Sequence, residues 1–184
     1  VRIDKDLRLQ TLAGQIWPEE GRVLRAGAAL VTSDRLIVDL GAGRGKSACY
    51  LSVGSWEGSG ARVLSIDLWG SHADSAAARR GDLGRRMFDL QIRLEGVPSL
   101  ITAIRGRTDV VPPLGGRLVG LLFVDAGHSA DAVRADLRAW LPRLAPGAIV
   151  MLHDWDGEFP GVQEAARPLL GEPTSIVRSM AVWP

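Results

Sequence analysis

A single cysteine, Cys49, stands in the 184 residues, which excludes a disulfide framework and any cysteine-rich zinc site. The residues around it read as a packed helix, so its thiol is expected to be buried as a small hydrophobe. Charge of one sign is missing too: 22 Lys and Arg face 21 Asp and Glu, for a formal net charge of +1. That balance supplies no field for holding nucleic acid or an anionic membrane. Arg79, Arg80, Arg85, Arg86 and Arg93 come nearest to a basic patch, but Asp74, Asp82, Asp89 and Glu95 interleave with them, the pattern of a solvated, mixed-charge helix. No run approaches the roughly 20 apolar residues of a membrane span. No apolar run follows the opening charges of Val1-Arg2-Ile3-Asp4-Lys5-Asp6 either, so no signal peptide is expected and a cytoplasmic setting is. Repeats and low-complexity tracts are also absent.

What is present is an ordinary globular composition, 46% hydrophobic and 23% charged, at a length suited to one domain. Short apolar runs alternate with helical stretches. Residues 35–40, 62–67, 100–104, 118–124 and 148–152 read as strands, the fourth buried on both faces. Helices are expected from Lys46 to about Gly54, from about Ser71 to Leu94 with interruptions at Gly81 and Gly84, over 131–141 and near 162–170. Pro146-Gly147 is expected to stop the chain before the fifth strand, and 174–183 has strand-like composition. This order predicts a three-layer, doubly wound α/β domain with a mostly parallel sheet. Residues 1–33 form a helical extension and 34–184 the core of a single domain.

Open parallel sheets bind ligands at the carboxyl ends of their strands. Past the first strand stands Asp39-Leu40-Gly41-Ala42-Gly43-Arg44-Gly45-Lys46-Ser47; the second ends in Asp67, with Leu68-Trp69 beyond. The third is followed by Arg105-Gly106-Arg107-Thr108-Asp109, the fourth by Asp125-Ala126-Gly127-His128, the fifth by His153-Asp154-Trp155-Asp156. Packing does not explain acids that follow strands of Leu, Ile and Val, so this edge of the sheet reads as a site.

The glycine loop admits several nucleotides, or a plain tight turn. A dinucleotide fingerprint wants glycine where Lys46 stands. A phosphate-binding Walker loop needs four residues between its first glycine and Gly45, and only three separate Gly41 from it. Asp39 opposes a pyrophosphate and suits a ligand carrying an ammonium and a sulfonium. Asp67, 26 residues after Gly41, can accept both hydroxyls of an adenosine ribose, or serve only as a cap.

The run Leu36 to Ser47 with Asp67 resembles the cofactor-binding half of the class I S-adenosylmethionine-dependent methyltransferases. Leu121 to Ser129, the helix carrying Asp136-Leu137 and Trp140-Leu141, Leu144 to Ile149, and His153-Asp154 resemble one small-molecule branch. It holds the cephalosporin-hydroxylase-like and macrolide-sugar O-methyltransferases and is related to the metal-dependent catechol-type enzymes. The likeness spans roughly residues 18–183. It implies methyl transfer from S-adenosylmethionine to a small-molecule hydroxyl, with Asp39, Gly41, Ala42, Gly43 and Ser47 at the methionine end and Asp67 on the ribose. Leu68 or Trp69 would lie on an adenine face, with Thr108 and Asp109 near its edge, and Asp125 would also contact the cofactor. Pro18-Glu19-Glu20-Gly21 resembles the segment these enzymes place over the cofactor.

The resemblance puts Asp125, His128, His153 and Asp154 at the acceptor, with the fourth and fifth strands as neighbours. Two carboxylates that close share a proton or hold a cation such as Mg²⁺. Trp155 stands where catechol-type relatives have a third carboxylate or amide ligand, so His128 either completes the set or acts as a base without metal. His153 points the opposite way along its strand, as a structural or a catalytic group. His72 reads as a surface or capping residue, Trp140 as core, and Trp17, Trp69 and Trp155 as core or as walls for the acceptor. N-methylation with His128 as base, a non-catalytic cofactor-binding protein and a nucleotide-dependent oxidoreductase are the competing functions. No nucleic acid or membrane partner is expected, and a homodimer is the commonest assembly of such folds.

Overall fold

The protein is described by a computed structural model covering residues 5–70 and 75–184, with the side chains of residues 75–81 left undescribed. Two helices come first, α1 (Lys5–Gln10) and α2 (Pro18–Ala29). The core then runs β1 (Leu36–Leu40), α3 (Lys46–Glu57), β2 (Arg62–Asp67), α4 (Ser75–Glu95), β3 (Ile101–Arg105), β4 (Val119–Val124), α5 (Ala130–Trp140), β5 (Leu144–Leu152), α6 (Pro160–Leu170), β6 (Ser175–Val177) and β7 (Met180–Trp183).

The seven strands form one sheet in the order β3-β2-β1-β4-β5-β7-β6. Pairings among the first five are parallel, and β7 joins antiparallel to β5 and β6. Strand order reverses between β1 and β4, which opens a crevice at their carboxyl ends. Crossovers through α3, α4 and α5 are helical, whereas residues 106–118 return from β3 to β4 without a helix.

Strand alternation divides the core in two. Ile37, Val63, Leu121, Phe123 and Met151 face Leu24, Ala28, Cys49, Leu51 and Phe88 on the side of α2, α3 and α4. Val38, Leu40, Leu122, Val124, Val150 and Leu152 face Val133, Leu137, Trp140 and Val162 on the side of α5 and α6. All six residues of β4 are buried, as its composition predicts. Helix α2 lies unusually close to α3: a Cβ on Gly54 would sit 2.0 Å from the Arg25 carbonyl oxygen.

Two boundaries differ from expectation. Pro146-Gly147 does not precede β5 but lies inside it, where the register jumps from Val119–Leu144 to Leu121–Ile149. A bulge tolerates the missing proline N–H there, and Gly147 takes a φ of 70°. Helix α4 runs unbroken through Gly81 and Gly84 because it docks Phe88, Gln91 and Ile92 into the core, a tertiary gain that outweighs glycine's low propensity. Arg85 pairs with Asp89 and Arg105 with Asp82, as a mixed-charge surface should. His72, Ser71 and Asp74 lie outside the described residues, as do the side chains of Arg79 and Arg80. Among the described residues no helix is long and apolar enough to cross a membrane.

Candidate active site at the carboxyl edge of the sheet

Leaving β1, the backbone turns through Gly41, whose amide donates to the Ile66 carbonyl at 2.8 Å. A side chain is impossible at this position: its Cβ would lie 1.9 Å from the Asp125 carbonyl oxygen, and φ is +87°. The loop closes at Gly45, the N-cap of α3, so the helix N-terminus opens toward the crevice.

Two adjoining cavities sit on this edge. The first, about 570 Å³, is lined by Gly41, Asp67, Leu68, Thr108, Asp109, Asp125 and the α5 residues Asp131, Ala132, Ala135 and Asp136. The second, about 470 Å³, is lined by Gly14, Gln15, Ile16, Gly41 to Arg44, Lys46, Ser47, Asp67, Asp125 and His128. Gly41, Asp67, Asp125 and Ala126 belong to both, so the two adjoin as one groove with Asp67 among the residues at their junction.

Asp67 accepts from the Gly43 amide at 2.8 Å on one oxygen and from the Trp69 amide at 2.7 Å on the other. Each oxygen keeps a lone pair for a ligand hydroxyl. Trp69 is only 3% exposed; it donates from Nε1 to the Gly43 carbonyl at 2.8 Å and packs edge-on against Phe88. Its φ of 40° is rare for a bulky residue. Trp69 therefore props the glycine loop from beneath and lines neither of these two cavities, in contrast to the adenine-face expectation; Leu68 does line the first cavity.

Asp39 is also corrected. It alternates with Ile37 onto the α3 side of the sheet, is fully buried and lines neither cavity. One oxygen accepts from Ser65 at 2.9 Å while the other has no partner. Burial pushes this carboxyl up to about 7, although the Ser65 and Ser47 hydroxyls oppose the shift. The Ser47 hydroxyl that reaches Asp39 belongs to a residue that lines the second cavity.

The ends of β4 and β5 bring the remaining candidates together. Asp125, His128 and Asp154 place one ligand atom each within 4.8 Å of one another. His128 Nε2 lies 2.9 Å from Asp154 Oδ2, and its ring stacks on Phe159 at 4.2 Å. Asp154 takes a φ of 61°, a conformation Asp tolerates better than most residues. Asp156 is exposed, caps the turn at Glu158 and stays outside this cluster.

His153 lies beneath, 6% exposed. Its Nδ1 is 3.1 Å from Asp154 and 3.5 Å from Asp125; its Nε2 is 3.2 Å from Glu20 and from the Ser179 hydroxyl. Burial opposes its charge, but the bonds to Asp125, Asp154 and Glu20 prevail and push the imidazole up to about 12. With Asp125 and Asp154 on one ring nitrogen and Glu20 and Ser179 on the other, both nitrogens of His153 are engaged within the fold, the geometry of a group that positions the two aspartates. Burial raises the Asp125 carboxyl even against His153, while for Asp154 the bond and charge of His153 outweigh burial and lower it.

Glu20 is the residue whose surroundings local sequence conceals. Instead of covering a ligand, it caps α2 by accepting from the Trp17 amide at 2.9 Å and binds the Ser179 amide and hydroxyl at 3.0 and 2.8 Å. Gly14 to Ile16, not Pro18 to Gly21, form the wall of the second cavity. Asp136 is the other omission: it is 2% exposed, lines the first cavity, and burial pushes it up to about 6 despite the Thr108 hydroxyl. A signal existed, since Asp136 shares the apolar face of α5 with Val133, Leu137 and Trp140. Trp155 packs edge-on against Trp183 in the core, and Trp140 is fully buried. Trp17 is exposed beneath Arg178 and lines neither cavity.

No curated protein matches the chain. Among solved structures, the O-methyltransferase NovP superposes with a TM-score of 0.69 at 16% identity, over 91% of this chain and 80% of that one. Cofactor-bound Rv0187 from MTB gives 0.68 at 15%, over 97% and 84%. TomG from Streptomyces achromogenes, an O-methyltransferase of tomaymycin synthesis in complex with SAM, gives 0.65 at 18%, over 94% and 80%. These likenesses establish the fold. A family model described as a methyltransferase domain matches residues 38–155.

Proposed function

The chain belongs to the family of methyltransferase domains, and from that premise we propose that it moves a methyl group from S-adenosylmethionine to a hydroxyl of a small molecule. The observation that carries this reading is the groove whose two halves share Asp67, with the Asp125–His128–Asp154 cluster at its rim. Adenine fits the first cavity, between Leu68, Thr108, Asp109 and Asp136. The ribose fits Asp67, and the amino acid end fits the second cavity along Gly41, Ala42, Gly43 and Ser47.

S-adenosylmethionine, when bound, supplies an electrophilic methyl on a sulfonium, and the protein must align the acceptor, take its proton and exclude water. The anionic Asp154 accepts from His128 Nε2–H, which leaves Nδ1 free to receive a proton. Stacking on Phe159 fixes the ring. His153 and Glu20 keep Asp125 and Asp154 in place from below. Two carboxylates and an imidazole within 4.8 Å also suit a divalent cation such as Mg²⁺. Asp125, His128 and Asp154 would hold it, and its chemistry would be to acidify a hydroxyl bound to it.

A small acceptor suits a formal net charge of +1, which offers no attraction to a polyanion. A cytoplasmic homodimer completes the reading. The test is transfer of labelled methyl to hydroxyl-bearing small molecules, with EDTA and with added Mg²⁺. Transfer that EDTA stops and Mg²⁺ restores supports the cation; transfer indifferent to chelation assigns the proton to His128 alone; labelling of RNA in place of small molecules contradicts the proposal.

A further inference from the structure

The geometry points to Gln91 as a positioning residue that fastens residues 11–17 as a strap over one half of the groove. Gln91 sits on α4 and is 4% exposed. Its Oε1 accepts from the Ala13 amide at 2.6 Å, and its Nε2 donates to the Ala13 carbonyl at 3.0 Å and to the Arg44 carbonyl at 2.8 Å. One side-chain amide thus ties the backbone of the strap to the backbone of the glycine loop, with both of its amide hydrogens used.

Lys46 supplies a second tie. Its Nζ donates to the Gln10 carbonyl at 3.2 Å, and its stem lies under Gly14, where a Cβ would approach it to 2.8 Å. Ile16 is buried at the far end of the strap. The two tied segments, Gly14 to Ile16 and Gly41 to Ser47, face each other across the second cavity. No residue of the strap lines the first cavity. The clamp therefore acts on one half of any ligand that spans the groove, the half opposite Thr108 and Asp136.

This inference rests on the reading of the groove as an S-adenosylmethionine site, in which that half takes the amino acid portion. Holding the strap in advance removes an ordering cost from binding. Gln91→Leu removes all three bonds at similar volume. Gln91→Glu keeps an acceptor for the Ala13 amide but loses both donated bonds and sets a carboxylate against two carbonyls.

The experiment is calorimetric titration of wild type and both variants with two probes, S-adenosylhomocysteine and 5′-methylthioadenosine, which lacks the amino acid. Wild type is expected to bind both. Each variant should bind S-adenosylhomocysteine roughly tenfold more weakly or worse, and 5′-methylthioadenosine within about twofold of wild type. Retained binding of the second probe also reports an intact fold, and hydrogen exchange at the Ala13 amide should quicken in both variants. Unchanged affinity for S-adenosylhomocysteine, or an equal loss for both probes in both variants, overturns the role of Gln91. Wild type that binds neither probe overturns the underlying cofactor reading, and the inference with it.

Discussion

Replacing Asp67 by alanine removes a carboxylate from the junction of the groove's two halves, and its cost divides between the fold and the ligand. In the fold, the Gly43 and Trp69 amides lose their acceptor at 2.8 and 2.7 Å. Hydrogen bonds to a charged group contribute about 1.5–3 kcal/mol each, but both amides lie beside a cleft where water can replace the carboxylate. Release of the strained Trp69 backbone offsets part of the rest. The expected loss of stability is therefore about 1–2 kcal/mol. On the ligand side, two ribose hydroxyls lose an ionised acceptor at about 1.5 kcal/mol each, together about 3 kcal/mol, or roughly a hundredfold in Kd. Asp67→Asn keeps the shape and one acceptor, and should cost roughly tenfold. Titration with S-adenosylhomocysteine, paired with thermal unfolding of each variant, separates the two parts. If Asp67→Ala stays folded and binds within about threefold of wild type, the placement of the ribose is wrong.

Three other perturbations test different parts of the structure. His128→Ala should lower kcat by roughly a hundredfold or more while leaving the affinity for S-adenosylhomocysteine within about twofold; full activity would remove His128 from the chemistry. Burial raises the Asp39 carboxyl to about 7, above the ordinary carboxylate range, so between those values the native state holds a proton that the unfolded chain has released. Stability should be fully present below about pH 4 and decline as pH rises to 7. Asp39→Asn should match wild type at pH 4 and exceed it by on the order of 2–4 kcal/mol at pH 8, and parallel denaturation curves at both pH values would contradict the burial argument. Gly54→Ala drives a Cβ to 2.0 Å from the Arg25 carbonyl and should cost about 3 kcal/mol in urea unfolding as α2 is pushed off α3; a loss under about 0.5 kcal/mol would mean the two helices part easily.

The strands were legible because each is a short apolar run ending in a residue that packing does not explain. Val119–Val124 shows this best, since a strand buried on both faces needs an unbroken apolar run. The same reasoning located Asp67, Asp125 and Asp154 at strand ends, and the structure sets all three along one groove or its rim. Direction was harder to read. Asp39 and Trp69 stand beside the groove in sequence, yet pleat alternation turns one beneath α3 and a left-handed turn folds the other under the loop. Trp155 is likewise drawn into the core, by Trp183 from the C-terminal hairpin. Contacts such as Glu20 with Ser179, 159 residues apart, and Ala13 with Gln91, 78 apart, leave no periodic or local mark. They arise only once the helical extension has docked on the sheet. Asp136 lay between these extremes: a charged residue on an apolar helix face was visible, but not that the face borders a cavity.

The identity of the groove's ligand is tested most directly by calorimetric titration of the wild-type protein with S-adenosylhomocysteine, run beside the same titration with NAD. Saturable one-to-one binding of S-adenosylhomocysteine and none of NAD is expected, because Lys46 occupies the position of the third dinucleotide glycine. Binding of NAD with no response to S-adenosylhomocysteine would contradict it, and the assignments of Asp67, the strap and the acceptor cluster would fall together.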